Sequence, residues 1–453
     1  MTATNYLTRY RHIAPLIVFR MAFGLVLFIS TIRFIAHGWI KEFYLSPKFH
    51  FPFLGFEWLR LMPPAIMYLL YIVMAIAALC ICLGFFYRIA TISFFLIFCY
   101  AELLDKTYYL NHYYLVTICS FLLIWVPANR FFSLDTWRKP QLTVTQVPSW
   151  TILIFKYQLL IIYCCAGISK LTNDWLIYAM PLKIWLPAKS NLPLIGSLLN
   201  YSWTAYLFSW ASALFDLAIP FVLLNASTRR FGYVLVIIFH TLTAVLFQIG
   251  MFPWLMMSAT LIYFSEDSHR KLIDWIRIPI AGPGPEHTGL RYLPVNAGAQ
   301  KAGLILLGLF LAAQVFIPFR YLLYPGKLLW TEEGYRFSWR VMLMEKSGTC
   351  YFYVKDGPAG RKMQVDQGAF LTAYQERMLE TQPDMMLQFA QILKQDFQRQ
   401  GMTDPRVTVE SYVSLNGSGS RLFIDSTINL ANEEEGWFSH KKWILPFENG
   451  STR

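Results

Sequence analysis

Nine apolar runs divide the first 320 residues, and they limit this chain to very few kinds of fold. We place them at residues 14–36, 64–86, 89–104, 112–127, 151–169, 203–225, 231–249, 252–265 and 303–320. The two runs on either side of Gly250 could also form one broken helix. About 20 consecutive apolar residues are enough to cross a bilayer as a helix. Only 15% of the 453 residues are charged, against roughly 25% in soluble proteins. The sequence therefore predicts a mainly α-helical polytopic membrane protein with a bundle of about nine transmembrane helices.

The excess of positive charge lies entirely in this apolar part. Residues 1–320 contain 24 Lys and Arg but 11 Asp and Glu, whereas residues 321–453 contain 15 and 16. Basic residues in short loops orient membrane proteins, with the more basic side in the cytoplasm. A cytoplasmic N-terminus puts 13 basic residues on the inner side and 8 on the outer side. We therefore expect this orientation, an extracytoplasmic C-terminal part after nine spans, and no nucleic-acid partner.

Residues 321–453 are predicted to form a small extramembrane α/β domain that follows a transmembrane domain at residues 1–320. Residues 337–348 and 350–356 alternate like strands, and 369–400 have helical periodicity. Two further strands are predicted at 406–415 and 420–430. The segments 38–63 and 170–202, rich in proline and aromatic residues, are expected to lie in the membrane interface or fold back. Residues 279–300 read as a cytoplasmic connector.

Ionisable residues inside the apolar runs are the main candidates for function, because the motifs of familiar soluble enzymes and a metal-ligand spacing are absent. We expect no metal site. Arg20, Lys156 and Asp216 are most simply a structural ion-pair set within the bundle. At the outer end of the third run, Glu102, Asp105 and Lys106 are most simply a solvated rim. His240 is compatible with a core histidine as well as with a ligand.

Lys170 follows directly on the run at 151–169. An ammonium group that is removed from water loses its proton more easily, and a neutral lysine is a competent base. The same position suits an anchor whose side chain reaches the membrane surface. The predicted topology places Lys170, His112 and Lys183 on the outer side, together with the C-terminal domain. These separate segments could therefore converge on one site.

The sequence DKTYYLNHYYL at 105–115 contains Asn111 and His112 among four tyrosines. The two polar side chains could orient a polar ring against the aromatic rings. The alternative is an ordinary aromatic belt at the membrane interface.

Four motifs resemble those of the vitamin K-dependent γ-glutamyl carboxylases and their bacterial homologues, which have an HTTM-type membrane domain. They are DKTYYLNHYYL at 105–115, AGISKLTNDW at 166–175, FHTLTAVLFQIGMF at 239–252 and WTEEGYRFSW at 330–339. The resemblance runs from about residue 14 to near the C-terminus, with the motifs in family order. The animal enzymes continue beyond the point where this sequence stops, so part of their lumenal region has no counterpart in it. The resemblance implies a location in the bacterial inner membrane.

The resemblance also implies an activity. In this family a lysine, here Lys170, deprotonates reduced vitamin K, a hydroquinone, and reaction with O₂ then generates a strong base. That base removes a γ-proton from a glutamate side chain, and the resulting carbanion attacks CO₂. By the same resemblance, Asn111 and His112 would hold a quinol oxygen and stabilise its anion as catalytic residues, and His240 would line the same pocket. Menaquinol is one candidate for the hydroquinone. The implied partners are the lipid bilayer, the quinol and a protein or peptide that contains glutamate.

The residues on the glutamate side depart from the family pattern. Lys183 stands where the animal enzyme has an arginine, and lysine cannot bind a carboxylate in the same bidentate way. Arg320 and Tyr321 fall near a second substrate position, where the animal enzyme has a histidine. Two alternatives to the carboxylase therefore stay open. One is a quinol epoxidase or oxidase without peptide carboxylation, and the other is a membrane transporter or scaffold whose buried charges are structural.

Overall fold

The computed structural model describes residues 3–281, 290–293, 297–358 and 360–447, and these residues include nine apolar helices. Within these ranges, seven helices are long and apolar enough to cross a membrane. The other two, Asn111–Trp125 and Phe252–Tyr263, are apolar but shorter. Each of the nine predicted runs forms one of these helices. The prediction of a polytopic membrane protein is confirmed.

The helices of the bundle are labelled here in chain order. They are α1 (Ala14–Ala36), α2 (Pro64–Leu83), α3 (Tyr87–Leu104), α4 (Asn111–Trp125), α5 (Trp150–Ser169), α6 (Ser202–Leu224), α7 (Arg229–Leu246), α8 (Phe252–Thr260), α9 (Glu266–Ala281) and α10 (Ala297–Phe316). A 3₁₀ turn extends α8 to Tyr263, and another extends α10 to Leu323. The amphipathic helix α9 was not predicted. Half of the predicted connector at 279–300 lies outside the described residues.

The loops between the helices sort into two groups at opposite ends of the bundle. At one end, strand β1 (Tyr10–His12) pairs with β2 (Gln146–Pro148), and the His12 N–H donates to Glu266 over 3.0 Å. At the other end, the segments 37–63, 105–110 and 170–201 contact residues 324–447. We call the latter the domain end. This grouping is the one that nine alternating spans require.

Residues 324–447 form the predicted small α/β domain. Its antiparallel sheet has the order β4-β3-β5-β6, with strands Met363–Gln364, Lys346–Asp356, Pro405–Leu415 and Arg421–Leu422. Two helices, α11 (Ala373–Leu379) and α12 (Pro383–Arg399), follow β4. The core forms where α12 packs on the sheet, with the Phe389 ring 4.8 Å from that of Phe352.

Three details of the predicted domain are wrong. Residues 337–345 are not a strand but belong to a strap, defined here as residues 332–345, which lies against the bundle. The predicted helix at 369–400 is split, because Pro383 has no N–H and starts a new helix instead of continuing the first. The last predicted strand is only two residues long, at Arg421–Leu422.

The expected solvated rim at the end of α3 is also wrong. Asp105 and Lys106 are each only 2% exposed. The Asp105 carboxylate contacts the His50 ring over 3.0 Å, and Lys106 Nζ lies 2.8 Å from the Asp384 carboxylate. These residues are buried because the C-terminal domain covers them. The sequence of α3 alone does not show that another domain packs over its end.

Arg20, Lys156 and Asp216 do not form the expected ion-pair set. The Arg20 guanidinium donates to the carbonyl groups of Ala128 and Phe132 over 3.0 and 2.9 Å. Lys156 lies over the ring of Tyr263, 5.8 Å from its centre. Asp216 pairs with Lys170 instead. The loop carbonyls and the aromatic ring thus take the place of the expected carboxylate.

Candidate active site

An apolar cavity of about 370 Å³ lies within the domain-end half of the bundle. Its walls come from α5, α6, α7 and α8, from the wall segment (defined here as residues 173–186), and from Trp339, Val341 and Met342 of the strap. Most lining side chains are aliphatic or aromatic. The ionisable residues that line it are Lys170, Asp216, His240 and Tyr163. Polar groups are therefore few and concentrated, as in sites for small organic ligands.

Lys170 is the C-cap residue of α5, and its side chain points into the cavity. It is 6% exposed and forms an ion pair with Asp216 of α6, which is 5% exposed. The indole ring of Trp175 lies 5.7 Å from Nζ. A lysine that anchors a helix at the membrane surface would place its ammonium group in water. The structure therefore contradicts the anchor interpretation.

Gly167 explains how α5 and α6 come close enough for this ion pair. A Cβ atom at residue 167 would lie 2.7 Å from Cγ and 2.9 Å from the backbone nitrogen of Leu217. The two helices thus touch through backbone atoms one residue beyond Asp216 and three residues before Lys170. Glycine is the residue that permits this approach.

His240 of α7 is the second polar group in the cavity. Its Nε2 atom is hydrogen-bonded to the Tyr163 hydroxyl over 3.1 Å. Its Nδ1 atom is buried and has no hydrogen-bond partner among the described residues. Because a buried polar atom without a partner is costly, this nitrogen is suited to bind a polar atom of a ligand.

His112 of α4 is buried close to the cavity but does not line it. Its ring lies 5.9 Å from the Phe252 ring, which lines the cavity and also contacts His240 at 5.7 Å. The Phe252 side chain would have to turn away for His112 to reach a ligand there.

Asn111 holds the strap. Its side-chain N–H donates to the Arg340 carbonyl over 2.9 Å, and its oxygen accepts from the Tyr109 hydroxyl over 3.1 Å. The Tyr109 oxygen in turn accepts from the Phe337 N–H over 2.8 Å. The motif at 105–115 thus contacts the motif at 330–339.

The strap is strained where it closes the cavity. Phe337, Trp339 and Met342 have φ values of 60°, 58° and 55°. Such left-handed conformations cost on the order of 1–3 kcal/mol each for residues other than glycine, and they cluster at functional sites. The Trp339 ring stacks on Tyr114 at 4.9 Å while it also lines the cavity.

The residues predicted for the glutamate side do not line the cavity. Lys183 donates to the Tyr206 hydroxyl over 2.9 Å, and Arg320 donates to the Arg336 carbonyl over 2.7 Å. The Tyr321 ring lies under the Arg340 guanidinium, 4.4 Å from its centre. Among these, Arg320 and Tyr321 lie beside the strap.

Sequence reasoning missed Asp216, Trp175 and Trp339 as residues of the site. Asp216 was noted as a buried charge, and its position in an apolar helix did signal that it needs a cation. The sequence contains several cations within or next to the apolar runs, however, and does not show which of them lies beside α6.

Two family models match this chain along almost all of its length. The HTTM domain matches residues 8–268, more than half of the chain, and the vitamin K-dependent gamma-carboxylase lumenal domain matches residues 299–450. No solved structure matches the chain. Because the two models match one after the other in a single multi-pass membrane protein, the chain belongs to the vitamin K-dependent gamma-carboxylase family.

Proposed function

We propose that this protein is a quinol-dependent γ-carboxylase, which couples the oxidation of reduced vitamin K or a menaquinol by O₂ to the addition of CO₂ to glutamate side chains. The observation that supports this is the meeting of Lys170, Asp216 and His240 in one apolar cavity, beside the domain that the family model calls lumenal. A scaffold protein has no need of a cavity with these groups.

The residues of the cavity fit a hydroquinone. A volume of about 370 Å³ and walls that include Trp175, Phe239 and Phe247 suit a flat aromatic ring. His240 Nδ1 offers a free position for a hydrogen bond. When bound, the hydroquinone supplies redox chemistry that side chains lack.

The roles that follow for the chain's own residues are distinct. Lys170 accepts the proton of a bound hydroxyl group at Nζ, as general base. His240 orients the ring through its free nitrogen. Trp339 and the rest of the strap exclude water, which protects strongly basic species from being quenched. Asn111 keeps the strap in place, and His112 reaches the ligand once Phe252 moves.

The proposed location is the bacterial inner membrane, with a cytoplasmic N-terminus and an extracytoplasmic C-terminal domain. The domain end then faces the compartment from which a protein or peptide containing glutamate would arrive, while the quinol arrives from the lipid bilayer. This arrangement gives each substrate its own route to the cavity.

A second candidate function is a quinol epoxidase or oxidase that does not carboxylate peptides. The placement of Lys183 and Arg320 favours it. Lys183, expected at the position of the glutamate carboxylate, and Arg320, expected near a second substrate position, both bind other groups outside the cavity. The placement of Lys183 and Arg320 does not affect the residues proposed to act on the quinol, Lys170 and His240.

One assay separates the functions. Purified protein in lipid nanodiscs would receive reduced vitamin K, O₂, labelled bicarbonate and a peptide containing glutamate, and both epoxide and fixed label would be measured. A carboxylase gives both products, and an epoxidase gives epoxide alone. Absence of quinol turnover with phylloquinol, menaquinol and menadiol would contradict both enzyme functions and favour a transporter or scaffold.

A further inference from the structure

The ion pair of Lys170 and Asp216 is almost completely shielded from water, yet it faces the cavity. Among the described residues, Lys170 is the one cation within 4.0 Å of the Asp216 carboxylate. A single uncompensated charge in such surroundings is strongly unfavourable. If Lys170 acts as a base, its change of charge has to be balanced nearby, and Asp216 is the group in contact with it.

We propose that Asp216 is a positioning residue that exchanges a proton with Lys170 and so presents a neutral amine to the cavity; this inference rests on the proposed function. When the proton moves from Nζ to Oδ2, one N–H bond breaks, one O–H bond forms, and the pair stays neutral overall. The lone pair of the amine then accepts the proton of a bound hydroxyl group. The pair now carries one positive charge, which balances the negative charge left on the bound oxygen.

The surroundings of the pair support this assignment. Gly167 brings the α6 backbone against α5, so that Asp216 is held beside Nζ. Trp175 covers the other side of the ammonium group. Neither contact offers the lysine a second carboxylate. Proton exchange within the described site therefore has one short route.

Other titratable groups face the pair from the neighbouring helices. Tyr163 and Cys164 lie on α5 and His240 lies on α7. Lys183, from the wall segment, contacts α6 further along, at Tyr206. His240 is the group among them that most requires a control, since it also lines the cavity.

The first test compares Asp216→Asn and Asp216→Glu in the full-length protein by the pH dependence of quinol oxidation. We expect Asp216→Asn to slow oxidation by about tenfold or more. The acid limb of its pH–rate profile, where the rate falls as the pH is lowered, should move to higher pH. The reason is that Lys170 then has to release its proton to solvent instead of to Asp216. Asp216→Glu keeps a carboxylate and should recover most of the rate and the original limb. His240→Asn should leave the limb unchanged.

The second test needs no turnover. An apolar amine reagent such as fluorodinitrobenzene would be added without quinol, and modification of Lys170 would be followed by mass spectrometry from about pH 5 to pH 8. Internal proton exchange predicts a labelling rate that depends little on pH in the unsubstituted protein. In Asp216→Asn the rate should instead fall steeply toward low pH.

Glu102→Gln is the matched control, because it removes a half-buried carboxylate from α3 that does not line the cavity. Its oxidation rate and Lys170 labelling should equal those of the unsubstituted protein. The proposal is overturned if Asp216→Asn labels with the same pH dependence as the unsubstituted protein, or if Asp216→Glu behaves like Asp216→Asn. A protein that oxidises no quinol but shows the expected labelling would contradict the proposed function and leave the proton exchange supported.

Discussion

Charge and basicity are two properties of Lys170 that substitution can separate. Arginine keeps the positive charge and the ion pair with Asp216, but it does not lose its proton in proteins. We therefore expect Lys170→Arg to lose quinol oxidation by at least about 100-fold while its melting temperature stays close to that of the unsubstituted protein. Oxygen consumption with reduced vitamin K and a thermal unfolding scan measure the two effects.

Lys170→Ala completes this comparison. It removes both the base and the counter-charge of a buried carboxylate, which costs about 3–5 kcal/mol. We expect it to be inactive and also less stable than Lys170→Arg. An active Lys170→Arg protein would show that Lys170 serves only as a charge.

For single residues, the sequence predicted membership of the site more reliably than it predicted contacts. Lys170 and His240 were predicted as site residues, and both line the cavity. Asn111 was predicted to hold the quinol, but its amide binds the strap. A residue's type and depth can be read from the sequence, whereas its partner depends on which of several helices lies beside it.

The close contact between helices α5 and α6 holds Lys170 and Asp216 together in the site. Gly167→Ala adds a methyl group 2.7 Å from the Leu217 side chain and 2.9 Å from its backbone, so the helices must separate. We expect quinol oxidation to fall about tenfold or more, because the Lys170–Asp216 contact loosens. The melting temperature should fall as well, since overpacking costs typically about 1–3 kcal/mol.

Gly308→Ala in α10 is the control for this substitution. A Cβ atom at residue 308 meets nothing within 4 Å. Because alanine favours helix more than glycine does, this variant should be at least as stable as the unsubstituted protein and fully active. If Gly167→Ala were equally harmless, the close approach of α5 and α6 would not be what holds the site together.

The strap shows where element prediction failed and why. The alternating pattern of residues 337–348 is typical of a strand, and the strand does begin at Lys346. Before it, the left-handed residues Phe337, Trp339 and Met342 turn the chain toward the bundle. The hydrogen bonds of the strap with Asn111 and Tyr109, and the stacking of Trp339 on Tyr114, stabilise this path. Local alternation carries no information on such distant partners.

For the molecule as a whole, a buried charge cluster joins the C-terminal domain to the bundle. The Asp384 carboxylate lies 2.5 Å from Arg336 and 2.8 Å from Lys106. Burial alone would raise the pKa of Asp384, but the Arg336 and Lys106 cations outweigh it and hold this pKa well below its usual value of 3.8. The folded protein therefore binds a proton here less readily than the unfolded chain does.

The sign of the resulting pH dependence follows from this lowered pKa. The contribution of Asp384 to stability is fully present above the ordinary pKa and is lost as the pH falls below it, toward the folded value. We expect the melting temperature to drop from about pH 4 downward, and this drop to be smaller in Asp384→Asn. At neutral pH, Asp384→Asn should be less stable by about 3–5 kcal/mol, because Arg336 and Lys106 lose their nearest carboxylate. Equal pH dependence in both proteins would contradict this.

Topology can be tested with single added cysteines at the two ends. Trp437 is exposed in the C-terminal domain, and Ser268 is exposed at the start of α9, at the opposite end. In intact spheroplasts a membrane-impermeant maleimide should label Trp437→Cys but not Ser268→Cys, and permeabilised cells should give label at both. The unsubstituted protein measures the background from the native cysteines. Labelling of Ser268→Cys alone would reverse the proposed orientation.

Four features could be predicted from the sequence alone: the nine apolar helices, the sorting of their loops to two ends, the small α/β domain and the family motifs. These depend on apolar length, loop charge and local pattern, all of which are properties of single segments. The three-dimensional structure was needed to show that Lys170 pairs with Asp216, that Lys183 and Arg320 lie outside the cavity, and that the strap closes it. Each of these depends on which segments approach one another, and that is set by packing between residues far apart in the chain.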